Sequence, residues 1–168
     1  NTPTAPIRAP SSLTTFLDLI KFAHSIFALP FALIATFWAL RQTSAPQTSL
    51  LASPTLGKLV LIVVCMVVAR TYAMTVNRLV DRSYDALNPR TSRRPSVTGA
   101  VTVRFMRITI VLSALLFIAA TAGFLAFHNP WPLALAVPVL AWLGAYSFTK
   151  RFTSFCHFWL CIALGLAP

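Results

Sequence analysis

The sequence predicts an all-α fold, a multi-pass transmembrane helical bundle, on three observations. Residues of the set AVILMFWYC make up 57% of the 168 positions and charged residues only 10%, and the mean hydropathy is +0.75. That exceeds what a soluble core needs and suits a chain whose solvent is lipid. The apolar residues also fall in runs of about the 20 residues a spanning helix requires, where a barrel strand would need only about 10 with alternating polarity. Finally, the basic residues gather between those runs.

The elements follow in order. Residues 1–14 form a polar tail rich in Pro and Thr, with no short apolar core ending in a small-residue cleavage site, and residues 1–168 read as a single transmembrane domain. A first apolar run goes from about Phe16 to Leu40, with Asp18, Lys21 and His24 at its mouth. After a connector of Ser, Thr and Pro, a second run from about Leu56 to Val80, interrupted by Arg70, leads into Asn77, Asp81 and Asp85. Asn88-Pro89 stops that helix, because a residue before proline is pushed out of the helical region. A third run (about Thr109 to Phe127), a His-Asn-Pro-Trp-Pro turn, and a fourth (about Trp131 to Phe148) come next. The fifth starts near Ser154 and is still apolar at Pro168, so the sequence reads as cut inside a membrane segment.

Charge sets the expected orientation. There are 14 Lys and Arg against 3 Asp and no Glu, for a net +11. Arg78, Arg82, Arg90, Arg93, Arg94, Arg104 and Arg107 lie between the second and third runs, Lys150 and Arg151 follow the fourth, and the turn between the third and fourth has no base. The positive-inside rule places both basic loops on the cytoplasmic side; the expected location is a bacterial inner membrane. Only Arg41 and Lys58 pull the other way. Because these bases alternate with apolar runs, they do not form a nucleic-acid surface. Cys65, Cys156 and Cys161 lie within apolar runs, without the paired spacing of a zinc site, and read as buried thiols.

Asn77-x-x-x-Asp81-x-x-x-Asp85 carries the chemistry. Positions four apart share a helix face, so one amide oxygen and two carboxylates project together. Such a set suits a hard divalent cation; magnesium is held by one or two carboxylates plus substrate phosphates, which points to Mg2+ and a phosphorylated substrate. The same residues also admit plain interfacial ion pairs, Asp81 and Asp85 with Arg78 and Arg82. Scarcity favours the metal: two of the chain's three acids stand together where a spanning helix emerges. A diphosphate would need cations on its other side, and Arg90 and Arg94, four apart in Asn88-Pro89-Arg90-Thr91-Ser92-Arg93-Arg94-Pro95, with Lys150 and Arg151, supply them. Alone, the same basic loop would be ordinary topology signal. Tyr146 and Ser147 read as an interfacial aromatic and its neighbour, or as contacts to an acceptor. Lys21 and His24 serve either a pocket mouth or the headgroups, to which a long basic chain snorkels. His128 and His157 lack partners at ligand spacing.

Through the segments Asn77 to Asp85, Asn88 to Pro95, Tyr146 to Arg151 and Lys21 to Leu33, the chain resembles the UbiA superfamily of membrane prenyltransferases, in its 4-hydroxybenzoate polyprenyltransferase-like branch. The resemblance implies nine transmembrane helices around a cavity open to lipid, of which this chain holds about five. It also implies two Asp-rich motifs that hold magnesium against the diphosphate of a polyprenyl donor. By position, Asn77, Asp81 and Asp85 match the first motif; Asp81 and Asp85 become catalytic, Arg90 and Arg94 the diphosphate loop, and Lys21, His24, Arg70, Tyr146 and Ser147 the acceptor or prenyl pocket. The second motif belongs to a later helix, and no acid follows Asp85, so these residues alone are expected to be inactive. The implied reaction transfers a polyprenyl group to an aromatic acceptor such as 4-hydroxybenzoate, in quinone biosynthesis. Alternatives are other acceptors (haem, chlorophyllide or a glycerol-phosphate lipid) and a cation-transporting segment in which Asp81 and Asp85 bind the permeating ion.

Overall fold

The computed structural model describes residues 53–149, preceded by single helical positions at Pro30, Leu33, Ile34 and Trp38. The tail, most of the first apolar run and the fifth run lie outside the described residues, and with them Lys21, His24, Lys150 and Arg151. Every regular element among the described residues is helical: α1 (Ser53–Leu87), α2 (Pro95–Thr98), α3 (Val103–Ala122) continuing as a 3-10 turn (Gly123–Phe127), and α4 (Trp131–Thr149). Among the described residues three segments are long and apolar enough to cross a membrane, Thr55–Leu87, Val103–Phe127 and Trp131–Thr149.

The 35 residues of α1 rise about 52 Å at 1.5 Å each, well beyond a hydrocarbon core of about 30 Å. Its last turns therefore stand clear of the apolar run that built it, and they bear Asn77, Asp81 and Asp85. The third run starts earlier than hydropathy alone predicts, at Val103 instead of about Thr109. The reason is a cap: the Thr102 hydroxyl accepts from the Phe105 N–H at 3.2 Å, so Arg104 and Arg107 join the first turns of α3. At the far end His128 takes the left-handed conformation (φ 55°) and closes the 3-10 turn, and the Asn129 side chain accepts from the Trp131 N–H at 3.2 Å to start α4.

α3 runs antiparallel to α1. A Cβ added at Gly123 would lie 3.0 Å from Leu61 near the start of α1, while Met106 and Val101 pack on Leu79 near its end. α4 returns parallel to α1 and touches it where Tyr72 meets Gly144. The three helices share a core of Val68, Phe117, Ala136 and Leu140, with Val64, Cys65, Ala69, Tyr72, Ala114 and Ile118 around it. Val60, Val111, Leu112, Leu115, Leu116 and Val137 remain exposed, as expected of side chains that face lipid tails.

Candidate functional site

The site is built where α1 runs out. With 3.6 residues per turn, Asn77, Asp81 and Asp85 advance by about 40° each and stay on one side of the helix. Asn77 and Asp81 are half-buried, and Asp85 is only 8% exposed. Among the described residues no group of three His, Cys, Asp or Glu comes together. Asn77, Asp81 and Asp85 offer an amide oxygen and two carboxylates, hard donors of the kind magnesium takes.

Asn88 turns the chain back over this face. Its side-chain oxygen accepts from the Arg90 N–H at 3.0 Å, and its carbonyl accepts from the N–H groups of Thr91 and Ser92 at 2.9 Å. This Asx-type turn gives the backbone partners the helix no longer offers. The Thr91 hydroxyl then donates to the Asp85 carbonyl at 2.9 Å, satisfying one of the orphan acceptors of the α1 terminus. Arg94, in extended backbone just before α2, reaches over and places Nη1 2.8 Å from Asp85 Oδ1 and 2.7 Å from Oδ2. A carboxylate this buried needs a charged partner, and Arg94 is that partner.

One further contact and one backbone turn shape the loop. The Arg82 Nε–H donates to the Ser96 carbonyl at 2.9 Å, and Ser96 itself is fully buried. Gly99 ends α2 at φ 82°, a conformation that favours glycine. The ion-pair alternative holds in part, since Arg78 interacts electrostatically with Asp85 and Asp81, but the salt bridge of Asp85 is to Arg94 and the Arg82 Nε–H serves a backbone carbonyl. Buried Arg78, 6% exposed, sits within the electrostatic reach of Arg94, Asp85 and Asp81. Between residues 77 and 95 there are five arginines and two aspartates, a surplus of cations that suits a polyanionic ligand.

The other described residues singled out in sequence fall at graded depths. Arg90 is exposed on the loop. Arg70 lies seven residues before Asn77, hence on the same face and two turns, about 10.5 Å, deeper along α1. It is half-buried, and its Nε is buried without a hydrogen-bond partner. Gly144 faces Tyr72 and the two helices run parallel, so Thr149 at the end of α4 stands level with about Asn77. Tyr146 is half-buried there. Ser147 is fully buried, and its hydroxyl oxygen also lacks a hydrogen-bond partner. A separate open groove of about 410 Å³, lined by Leu79, Val80, Arg82, Ser83, Ala86 and Val97, lies on the other side of α1.

Sequence reasoning missed the Thr91 and Arg82 fastenings and the pairing of Arg94 with Asp85. The readable signal was the turn-forming Asn88-Pro89 followed by Thr91 and Arg94, which brings a hydroxyl and a guanidinium back toward the helix end.

Residues 28–168 match the UbiA prenyltransferase family. The chain is 33% identical over 156 residues to a 4-hydroxybenzoate octaprenyltransferase of Paracidovorax citrulli (strain AAC00-1), covering 90% of this chain and 48% of that protein. It is 30% identical over 166 residues to one of Aromatoleum aromaticum (strain DSM 19018 / LMG 30748 / EbN1), covering 96% and 51%. Among solved structures it is similar to the apo structure of a UbiA homolog from Aeropyrum pernix K1, with a TM-score of 0.70 and 31% identity over 86% of this chain and 47% of that one. The chain spans about half the length of the curated relatives it matches.

Proposed function

Because the chain belongs to the UbiA prenyltransferase family, we propose that it takes part in magnesium-dependent transfer of a polyprenyl group from a polyprenyl diphosphate to an aromatic acceptor such as 4-hydroxybenzoate, in quinone biosynthesis. The relatives' names support the acceptor. The observation that carries the reading is the layered face of α1. A hard-oxygen set at its end is roofed by a basic loop, and a cation with a buried, unpartnered Nε lies two turns deeper.

In this reading Asn77, Asp81 and Asp85 hold the metal. Bound there, magnesium supplies charge neutralisation and Lewis acidity toward the diphosphate oxygens. Arg90 and Arg94 flank the diphosphate from the loop, with Lys150 and Arg151, so negative charge growing on the leaving group meets fixed cations. Arg70 takes the acceptor's carboxylate and sets its ring at a fixed depth, beside the allylic carbon that the departing diphosphate uncovers. Tyr146 and Ser147 at the end of α4, with Lys21 and His24, border the acceptor or prenyl pocket. Apolar walls keep water from the allylic cation. By the charge asymmetry the loop side is cytoplasmic, and the bacterial relatives support an inner membrane. A cation-conducting segment would instead place its acids near mid-span, whereas Asp85 stands two residues from the end of α1.

The test is an assay of the complete protein in membranes with magnesium, radiolabelled polyprenyl diphosphate and a panel of aromatic acceptors. Labelled prenyl-arene that depends on both Asp81 and Asp85 is expected. Turnover that survives loss of either carboxylate at limiting magnesium would remove the metal-site assignment.

A further inference from the structure

We propose that Arg94 stands in for the cation at Asp85 in the metal-free protein, so that the site takes up a divalent cation and a diphosphate together, not one after the other. This rests on the proposed metal site and adds the order in which its ligands are accepted.

A single guanidinium nitrogen lies 2.8 and 2.7 Å from the two oxygens of Asp85 and covers the lone pairs a cation would use. The aspartate side chain is 10% exposed and the arginine 34%, so water replaces the lost pairing only in part. A cation arriving alone takes Asp85 and strands the Arg94 guanidinium, with buried Arg78 already within its electrostatic reach. Separating a partly buried pair in this way is costly because one charge is left uncompensated. A diphosphate arriving alone draws Arg94 away and leaves buried Asp85 without its partner. When both arrive, metal goes to Asp85 and phosphate to Arg94, and neither charge is stranded. Each ligand removes the cost the other would meet, which is positive coupling, and coupling is reciprocal.

The exchange needs only a side-chain movement. The loop backbone stays fastened by the Thr91 hydroxyl on the Asp85 carbonyl and by the Arg82 Nε–H on the Ser96 carbonyl, neither of which involves the Arg94 side chain. Arg94 thus holds the carboxylate closed until an anion claims the guanidinium.

The experiment is Mn2+ binding to the full chain, purified in detergent and read by electron paramagnetic resonance, with and without inorganic pyrophosphate. Without pyrophosphate, Arg94→Gln is expected to bind Mn2+ about tenfold more tightly than the unsubstituted protein. Arg93→Gln, which removes a nearby charge that does not touch Asp85, should stay within about twofold. Pyrophosphate should raise Mn2+ affinity more in the unsubstituted protein than in Arg94→Gln. Equal Mn2+ affinities for the unsubstituted protein and Arg94→Gln, or an equal rise in Arg93→Gln, overturns the proposal while leaving the metal site standing if Asp85→Asn abolishes binding. Binding indifferent to Asp85→Asn overturns both.

Discussion

One guanidinium nitrogen of Arg94 straddles both carboxylate oxygens of Asp85, at 2.8 and 2.7 Å, across nine residues of chain. The pair joins the last turn of a membrane helix to the loop that roofs it. It also sets against one another two charges that the proposed function assigns to the metal and to the diphosphate.

Asp85→Asn and Asp81→Asn are expected to lower prenyl transfer by about 100-fold or more, since each removes a charged oxygen from the developing electrostatic clamp, a loss on the scale of other transition-state charge contacts. Asn matches Asp in shape, so insertion and folding should persist. Turnover in membranes at limiting magnesium, beside size-exclusion of the detergent-extracted protein, separates the two effects. Near-normal turnover in both variants would contradict the assignment.

Arg70→Gln tests the deeper layer. If its guanidinium receives the acceptor's carboxylate, the variant should raise KM for a carboxylated acceptor about tenfold or more, a loss in keeping with removing one charge-assisted hydrogen bond. KM for the polyprenyl diphosphate should hardly move, because Asn77 and the loop lie two turns away. A rise confined to the diphosphate would place Arg70 with the loop cations instead.

Hydropathy and spacing made the fold class readable, because α1, α3 and α4 each carry enough apolar residues to span and no alternation that would suit a strand. They also put Asn77, Asp81 and Asp85 on one face, since that needs only a helix that continues past its apolar run. Two things were not legible. The start of α3 at Val103 depends on a single hydroxyl cap at Thr102, which hydropathy averages away. The partner of Asp85 depends on how far Asn88-Pro89 folds the chain back, and five arginines between residues 77 and 95 offer equally plausible charges until the turn geometry chooses Arg94.

Topology gives an independent check. Ser92 sits on the loop beyond α1 and Asn129 beyond the 3-10 turn that ends α3, so the length of a spanning helix separates them. Single cysteines at these positions, in a background with Cys65, Cys156 and Cys161 replaced, should react with an impermeant thiol reagent from opposite sides of the membrane. Labelling of both from one side would refute α3 as a membrane crossing.

The contact that aligns α4 with the site is expected to be tight and polar at its centre. A Cβ added at Gly144 would meet the Tyr72 hydroxyl oxygen at 3.0 Å, with the next ring atoms at 3.9 Å, so the hydroxyl alone is crowded. Gly144 is buried and lies between Leu140 and Ser147, both also buried, so α4 has little room to retreat. Overpacking a core costs about 1 to 3 kcal/mol, and the helix propensity gained on replacing Gly by Ala offsets about 1 kcal/mol of it, so Gly144→Ala should destabilise the protein by up to about 2 kcal/mol. It should also lower activity, because shifting α4 moves Tyr146 and Ser147 relative to the Arg70 layer of α1. Tyr72→Phe removes the crowded oxygen and leaves the ring in place. In that background Gly144→Ala should cost clearly less, and the difference is the coupling between the two positions. A double-mutant cycle on thermal stability in detergent measures it directly. Additive effects would mean that the helices do not touch at this pair, and that the level of α4 against α1 is set elsewhere.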